Sequence, residues 1–171
     1  VSDPVDPLAK VFFTQSGRRR SQVQGYALAV MKTRACYFAE KDPALTHYLT
    51  QGRAFGPHGE DLVIADSIAN YNEAYSQKLT ELTVKANLVV RELGYKPYIA
   101  PAMSSAAFSI LLTLQGKWHY GSVYLGNSTQ GAYFGVRNRY TPQGIEYENL
   151  TVPPALFSRL QRSYTNLCKL N

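Results

Sequence analysis

Aromatic and arginine side chains recur on one side of two neighbouring segments that are predicted to be β-strands. Successive side chains of a strand point to opposite faces, so residues two apart share a face. If Val123 and Phe134 cover the core, the other face gathers rings and guanidinium groups, which stack unpaired bases or sugars and bind phosphates. The alternative is that the closing helix or a partner subunit covers this face and the rings simply pack. The predicted binding face consists of Trp118, Tyr120, Tyr124, Tyr133, Arg137 and Arg139.

A basic run, Arg18-Arg19-Arg20, lies in a polar loop directly before a predicted helix. Guanidinium groups contact phosphates well, but positive charge is unfavourable at the positive end of a helix dipole unless an anion bridges the two. The sequence therefore predicts either a second anion contact at Arg18, Arg19 and Arg20 or a solvated loop.

Cys36 and His119 are the pair that suggests nucleophilic catalysis. A thiol at a helix N-terminus beside an imidazole loses its proton easily and becomes a nucleophile. The segment from His119 to Gly126 resembles the histidine-bearing strand of the NlpC/P60-type hydrolases, and this resemblance implies a cysteine hydrolase. Cys36 departs from the pattern, because it is predicted to lie in mid-helix and lacks the Asp-Cys-Ser context of that family.

The remaining titratable residues match no metal or phosphate motif. His47 and His58 stand apart from any set of residues with ligand spacing, so no metal and no cofactor are predicted. Glu146 and Glu148 have a spacing that resembles the E-x-E motif of ADP-ribosyltransferases, but such a pair usually forms the solvent edge of a strand. The sequence contains no P-loop, G-x-G-x-x-G, S-x-x-K or G-x-S-x-G motif.

A helical half over residues 7–95 is predicted to come first. Ser21 can cap a helix that runs to about Lys41, and a short helix follows from Pro43 to about Gln51, with a loop over residues 52–60. A long apolar stripe then ends at Gly94, which is placed as a C-cap. Two long helices predict an N-terminal helical hairpin. The stripe consists of Ile68, Tyr71, Tyr75, Leu79, Leu82, Ala86, Val89 and Leu93.

The second half changes to short aromatic and β-branched runs that are separated by glycine-containing turns. This pattern predicts a four-stranded antiparallel β-meander over residues 105–152, followed by a closing helix over residues 154–168. The fold class is therefore α+β, in a single domain of residues 1–171. The predicted strands are Ala107–Leu114, Trp118–Leu125, Ala132–Arg139 and Ile145–Val152.

Composition and charge indicate a soluble, globular and basic chain. Hydrophobic residues make up 45% and charged residues 18%, as in folded domains, and no apolar run approaches the roughly 20 residues that span a bilayer. The formal net charge of +6 divides into +4 for residues 1–53, −3 for residues 54–93 and +5 for residues 94–171. Such a balance favours nucleic acid or another polyanion as partner, although ordinary solubility charge explains it equally.

The cysteines and the glycosylation sequons give information about the cellular location of the protein. Cys36 and Cys168 match no zinc or redox spacing, and either a disulfide between them or two free thiols fits. The start without Met suggests a processed N-terminus. Two glycosylation sequons, at Asn127 and Asn149, allow an extracytoplasmic or secreted location.

Taken together, these patterns predict a non-enzymatic binding or assembly protein. Its partner is expected to be nucleic acid first, then a glycan or a protein subunit, held by the aromatic face and the basic flanks. Two alternatives stay open: a cysteine hydrolase that uses Cys36 and His119, and a structural subunit of a homo-oligomer or larger assembly such as a capsid, a pilus or a secretion apparatus.

Overall fold

Five α-helices, a short 3-10 helix (Pro43–Leu45) and two small antiparallel sheets lie in the part of the chain that the structure describes. This computed structural model describes residues 15–17, 24–95, 100–127 and 129–170, with the backbone alone for residues 100–105. The helices are α1 (Ala27–Glu40), α2 (Tyr48–Gln51), α3 (Glu73–Glu92), α4 (Ala100–Leu114) and α5 (Pro154–Cys168). The strands are β1 (Arg53–Phe55), β2 (Val63–Ala65), β3 (His119–Gly126), β4 (Gly131–Thr141) and β5 (Gly144–Tyr147).

The strands pair as one hairpin and one short meander. β1 pairs with β2, while β3, β4 and β5 form a sheet in that order. The turn between β3 and β4 is closed by Asn127, whose Oδ1 accepts the backbone N–H groups of Thr129 and Gln130. The predicted α+β class is therefore confirmed, but the meander has three strands instead of four.

The first predicted strand of the meander, Ala107–Leu114, is wrong because these residues lie in α4. A short apolar run does not by itself distinguish a strand from a buried helix. Thr113 Oγ1 donates to the carbonyl of Ser109 one turn back, 2.8 Å away. Gly116, with φ of +63°, then donates its N–H to the carbonyl of Thr113. The residues that were assigned to a hairpin turn are thus the C-terminal cap of a helix.

The long helix of the first half is α3, which begins and ends with local capping. Asn72 Oδ1 accepts the backbone N–H of Tyr75 at 3.0 Å, and Gly94 takes the left-handed conformation, with φ of +82°. α1 and α3 pack against each other. The predicted N-terminal hairpin is nevertheless not confirmed, since α2 and the β1–β2 hairpin lie between the two helices in the chain and Ser21 lies outside the described residues.

The β1–β2 hairpin, whose first strand the sequence predicted as part of a loop, forms a middle layer of the core. Ala54 and Ile64 belong to a buried cluster with α1 and α3. Phe55, Val63 and Ala65 belong to a second cluster, with β4 and α5. Because side chains alternate along a strand, each face of the hairpin serves one cluster.

The closing helix α5 has the predicted bounds, and its Leu156 and Leu167 are buried in the second cluster. Among the helices that the structure describes, none combines the length and the apolar composition that crossing a membrane requires.

Candidate functional site

Seven polar side chains meet where α1 and β1 approach the three-stranded sheet, and we call this group the basic cluster. Lys32 and Cys36 are one turn apart on α1 and therefore share a face. Tyr120 and Arg137 are directly opposed in the register of β3 and β4. The basic cluster consists of Lys32, Cys36, Tyr48, Arg53, Tyr120, Arg137 and Glu148, which interact electrostatically with one another.

Glu148 is the carboxylate of the basic cluster, and two arginines bind it. Arg53 donates from Nε to Oε2 at 2.7 Å and from Nη2 to Oε1 at 2.8 Å, and Arg137 Nη1 donates to Oε1. Burial alone raises the pKa of Glu148, but the hydrogen bonds from Arg53 and Arg137 outweigh it and bring the pKa below its ordinary value. The fork-shaped contact from Arg53 is the strong, bidentate kind, so it fixes β1 to the segment that follows β5.

Lys32 lies in a half-buried position beside neutral groups. Its Nζ lies 3.9 Å from the centroid of the Tyr48 ring and donates to Cys36 Sγ at 3.4 Å. Burial lowers the pKa of Lys32; Cys36 opposes this effect, whereas Arg53 and Arg137 add to it.

Two tyrosines of the basic cluster keep their protons at neutral pH. Tyr48 is fully buried, and burial raises its pKa well above the ordinary value. Its hydroxyl has no hydrogen-bond partner among the described residues. Burial likewise raises the pKa of Tyr120 to about 12. Both phenols are therefore hydrogen-bond donors that lie beside excess positive charge.

The residues of the predicted binding face do share one side of the sheet, because Tyr124 opposes Tyr133 as Tyr120 opposes Arg137. Much of that side is covered by the protein itself. Tyr133 is 3% exposed, and Tyr120 packs against the first core cluster. The Tyr124 hydroxyl donates to the carbonyl of Asn127.

The two arginines of this face are already engaged by acidic and aromatic neighbours. Arg139 Nε donates to Glu146 Oε2 at 2.7 Å, and Arg137 is bound to Glu148. The Trp118 ring lies 4.8 Å from Arg139 Cζ and 5.5 Å from Arg137 Cζ. Arg18, Arg19 and Arg20 lie outside the described residues, so their role stays a prediction, as does binding by the face itself.

Among the contacts of the described residues, no hydrogen bond joins Cys36 to His119, the predicted catalytic pair. His119 is 3% exposed, and its Nε2 lies 3.1 Å from Gln24 Nε2 and 3.0 Å from Thr113 Oγ1. Cys36 lies within α1 beside Lys32. Cys36 and Cys168 are both free thiols.

The other two histidines, for which the sequence predicted no metal-binding role, occupy defined positions. His47 Nε2 lies 2.9 Å from Oδ2 of the buried Asp66. His58 is half-buried in the turn between β1 and β2, between Gly56 with φ of +85° and Gly59 with φ of +143°. The Gly56 N–H donates to the carbonyl of Gly135 at 2.9 Å. The turn that carries His58 is thus fixed to the middle of β4, and a histidine between two glycines was the available sequence signal.

With this geometry established, comparison with solved structures identifies the fold. Malate dehydrogenase from Aeropyrum pernix matches with a TM-score of 0.74 and 16% identity, over 98% of this chain and 61% of that chain. Malate dehydrogenase from Archaeoglobus fulgidus in complex with NADH matches with a TM-score of 0.67 and 16% identity, over 93% of this chain and 55% of that chain. L-lactate dehydrogenase from Clostridium thermocellum matches with a TM-score of 0.69 and 16% identity, over 97% of this chain and 61% of that chain. No protein-family model and no curated protein matches the chain.

This similarity corrects the function that the sequence predicted. The interpretation as a non-enzymatic binding or assembly protein is wrong, because nearly the whole chain shares its fold with enzymes. The same finding conflicts with the alternative of a structural subunit. The cysteine hydrolase alternative is not supported, since no hydrogen bond among the described residues joins Cys36 to His119.

The similarity covers part of those enzymes. The chain spans about three fifths of the length of the Aeropyrum pernix enzyme, 61%. Every strand pairing of the described residues is antiparallel, whereas dinucleotides bind to doubly wound parallel sheets. The described part of the chain therefore has the fold of a portion of malate and lactate dehydrogenases. The described residues form no parallel sheet of the dinucleotide-binding type.

Proposed function

We propose that this chain is the substrate-binding part of an oxidoreductase that interconverts small 2-hydroxy and 2-oxo carboxylic acids. The observation that carries the proposal is the fold, shared over 98% of the chain with a malate dehydrogenase. Malate and lactate are both 2-hydroxy acids. Their oxidation removes a hydride from C2 and a proton from the hydroxyl oxygen, so the enzyme needs a proton acceptor and a cation that holds the substrate carboxylate.

A nicotinamide dinucleotide supplies the hydride chemistry in such enzymes, but the described residues do not fit one. Their sheets are antiparallel, and the sequence lacks the G-x-G-x-x-G turn that holds the pyrophosphate. The proposal therefore assigns to this chain the binding of the organic acid and the proton, and no part of the hydride acceptor.

The charge of the chain supports an anionic substrate. Three cations and one carboxylate give the basic cluster a formal charge of +2, and residues 94–171 carry +5. Guanidinium and ammonium groups in half-buried positions attract and orient carboxylates. The basic cluster is therefore the region of the described residues where we place the substrate carboxylate.

His58 is the residue that we propose as proton acceptor. A histidine exchanges protons near neutral pH and is the commonest general acid–base group. His119 is buried among Gln24 and Thr113, and His47 faces Asp66. The His58 turn is held by the bond between Gly56 and β4, and a turn fixed in this way positions a functional side chain accurately.

The test measures binding of oxaloacetate and pyruvate to the 171-residue chain by calorimetry. We expect both acids to bind, and pyruvamide, which lacks the carboxylate, to bind more weakly. H58Q should weaken binding of the acids about tenfold, since a charged hydrogen bond contributes roughly 1.5 kcal/mol. H47Q is the matched control and should bind as the unmodified chain does.

The proposal fails if neither acid binds, or if H47Q and H58Q weaken binding equally while circular dichroism shows both variants to be folded. Equal binding of pyruvamide and pyruvate would also contradict it, because the carboxylate would then have no role.

A further inference from the structure

The surroundings of Lys32 differ from those of Lys78 and Lys85. Lys78 and Lys85 form ion pairs with Asp42 and Glu81. Lys32, by contrast, contacts the Tyr48 ring and the Cys36 thiol. No ion pair joins its nitrogen to a carboxylate among the described residues. Within that part of the chain, its ammonium group is therefore half-buried without a counter-charge of its own.

Neighbouring cations make the charged form of Lys32 less favourable still. Burial lowers the pKa of Lys32; the contact with Cys36 offsets part of this effect, and Arg53 and Arg137 add to it. Each unit by which a lysine pKa falls raises the fraction of neutral amine at neutral pH about tenfold. The neutral amine is the nucleophile, and burial next to other cations is a known means of activating a lysine.

We propose that Lys32 forms an imine with the carbonyl carbon of a small 2-oxo acid. The nitrogen lone pair attacks C2 of the acid, and one amine proton passes to the carbonyl oxygen to give a carbinolamine. The second amine proton leaves with the hydroxyl group as water, and the nitrogen lone pair forms the C=N bond. Amine and ketone become imine and water, so the step needs no oxidant or reductant.

The basic cluster contains the groups that this chemistry requires. The carbinolamine hydroxyl needs a hydrogen-bond donor, and Tyr48 carries a neutral hydroxyl, buried beside Lys32, with no partner among the described residues. The carboxylate of the acid is matched by the positive charge of Arg53 and Arg137, whose joint partner is Glu148. A 2-oxo acid fits this group of residues, because the amine of Lys32 can react with its carbonyl and the two arginines can attract its carboxylate.

This activity goes beyond the proposed dehydrogenase function. Imine formation transfers no hydride and does not involve His58. The two proposals share the class of organic acid, but they depend on different residues and can fail separately.

The test is reductive trapping. The chain is incubated with pyruvate at neutral pH, sodium cyanoborohydride reduces any imine to a stable secondary amine, and peptide mass mapping locates the adduct. We expect Lys32 to be modified faster than Lys41, because its lowered pKa leaves a larger fraction of the amine neutral. Lys41 is the internal control, an exposed lysine whose Nζ lies 5.5 Å from the Tyr37 ring centroid.

K32R is the matched variant, because arginine retains the positive charge but is not a nucleophile. It should lose the adduct at position 32 and leave the labelling of Lys41 unchanged. Equal labelling of Lys32 and Lys41 in the unmodified chain would overturn the proposal, and this comparison decides the question even if K32R does not fold.

The outcomes also separate the two proposals. If Lys32 is trapped and H58Q has no effect on binding, the imine proposal is supported and the assignment of His58 as proton acceptor is wrong. If binding depends on His58 and Lys32 is not trapped, the imine proposal is wrong and the proposed dehydrogenase function is supported.

Discussion

Glu148 is the residue whose removal should show most clearly how the basic cluster is held together. It accepts hydrogen bonds from both Arg53 and Arg137, and E148Q leaves these two cations without their carboxylate. We expect the free energy of unfolding at pH 7 to fall by about 1–3 kcal/mol, the usual cost of an unsatisfied charged hydrogen bond. Urea denaturation measures this loss. E146Q is the control, because the Glu146–Arg139 pair is more exposed, at 43% and 38%, and should change stability by less than about 1 kcal/mol.

The same residue predicts a pH dependence. The pKa of Glu148 is lower in the folded chain than its ordinary value of 4.5, so its contribution to stability is complete above that value. The contribution is lost as the pH falls through the folded pKa. The difference in unfolding free energy between the unmodified chain and E148Q should therefore shrink from pH 7 towards pH 3. A difference that stays constant over this range would show that Glu148 acts through shape rather than charge.

Individual site residues were predictable only where local pattern decides their position. Alternation along β3 and β4 placed Tyr120 and Arg137 on one face, which the register confirms. The pairing of Arg53 with Glu148 joins residues 95 positions apart, and no local pattern indicates such a contact. For the same reason the sequence left open whether this face is exposed or covered, and the structure shows that Tyr133 is buried.

At the scale of elements, the close approach of β4 to the turn that carries His58 can be tested. A Cβ at Gly135 would lie 2.2 Å from the carbonyl oxygen of Gly56 and 2.7 Å from Leu28 Cδ2. G135A should therefore separate β4 from the turn and cost about 1–3 kcal/mol, as overpacking does. Thermal unfolding followed by circular dichroism measures the change.

The control for G135A is G94N at the end of α3. Gly94 has φ of +82°, and nothing lies within 4 Å of a Cβ built there. Asparagine tolerates this conformation at a helix C-terminus, so stability should change by less than about 0.5 kcal/mol. If G135A were as mild as G94N, β4 and the turn would not be in the tight contact that positions His58.

The elements that were predicted well have strong local signals. α5 matches its predicted bounds because Pro153-Pro154 mark its start and apolar residues recur at helical spacing through Leu167. β1 and β2 are three residues each, too short to show alternation, and they form because they pair with each other between two core clusters. α4 was misassigned because its apolar residues give no clear period, and its capping glycine resembles a hairpin turn.

At the scale of the whole molecule, the hairpin that both core clusters share predicts cooperative unfolding. Ile64 of β2 belongs to the first cluster, and its neighbours Val63 and Ala65 belong to the second. Neither cluster can lose its packing without exposing one face of the same hairpin. The single domain predicted from the sequence should therefore unfold in one transition, with the same midpoint by Trp118 fluorescence and by far-ultraviolet circular dichroism.

Substitution within the hairpin sharpens this prediction. Ile64 is fully buried, and I64V should cost about 0.5–1.5 kcal/mol because it removes one buried methylene. Both probes should move to lower denaturant concentration by the same amount, although Trp118 lies in neither cluster. I110V, at a side chain that is 44% exposed, should move neither. A shift in one probe without the other would mean that the two clusters unfold as separate units, and the hairpin would then not be the layer that joins the Lys32 side of the molecule to α5.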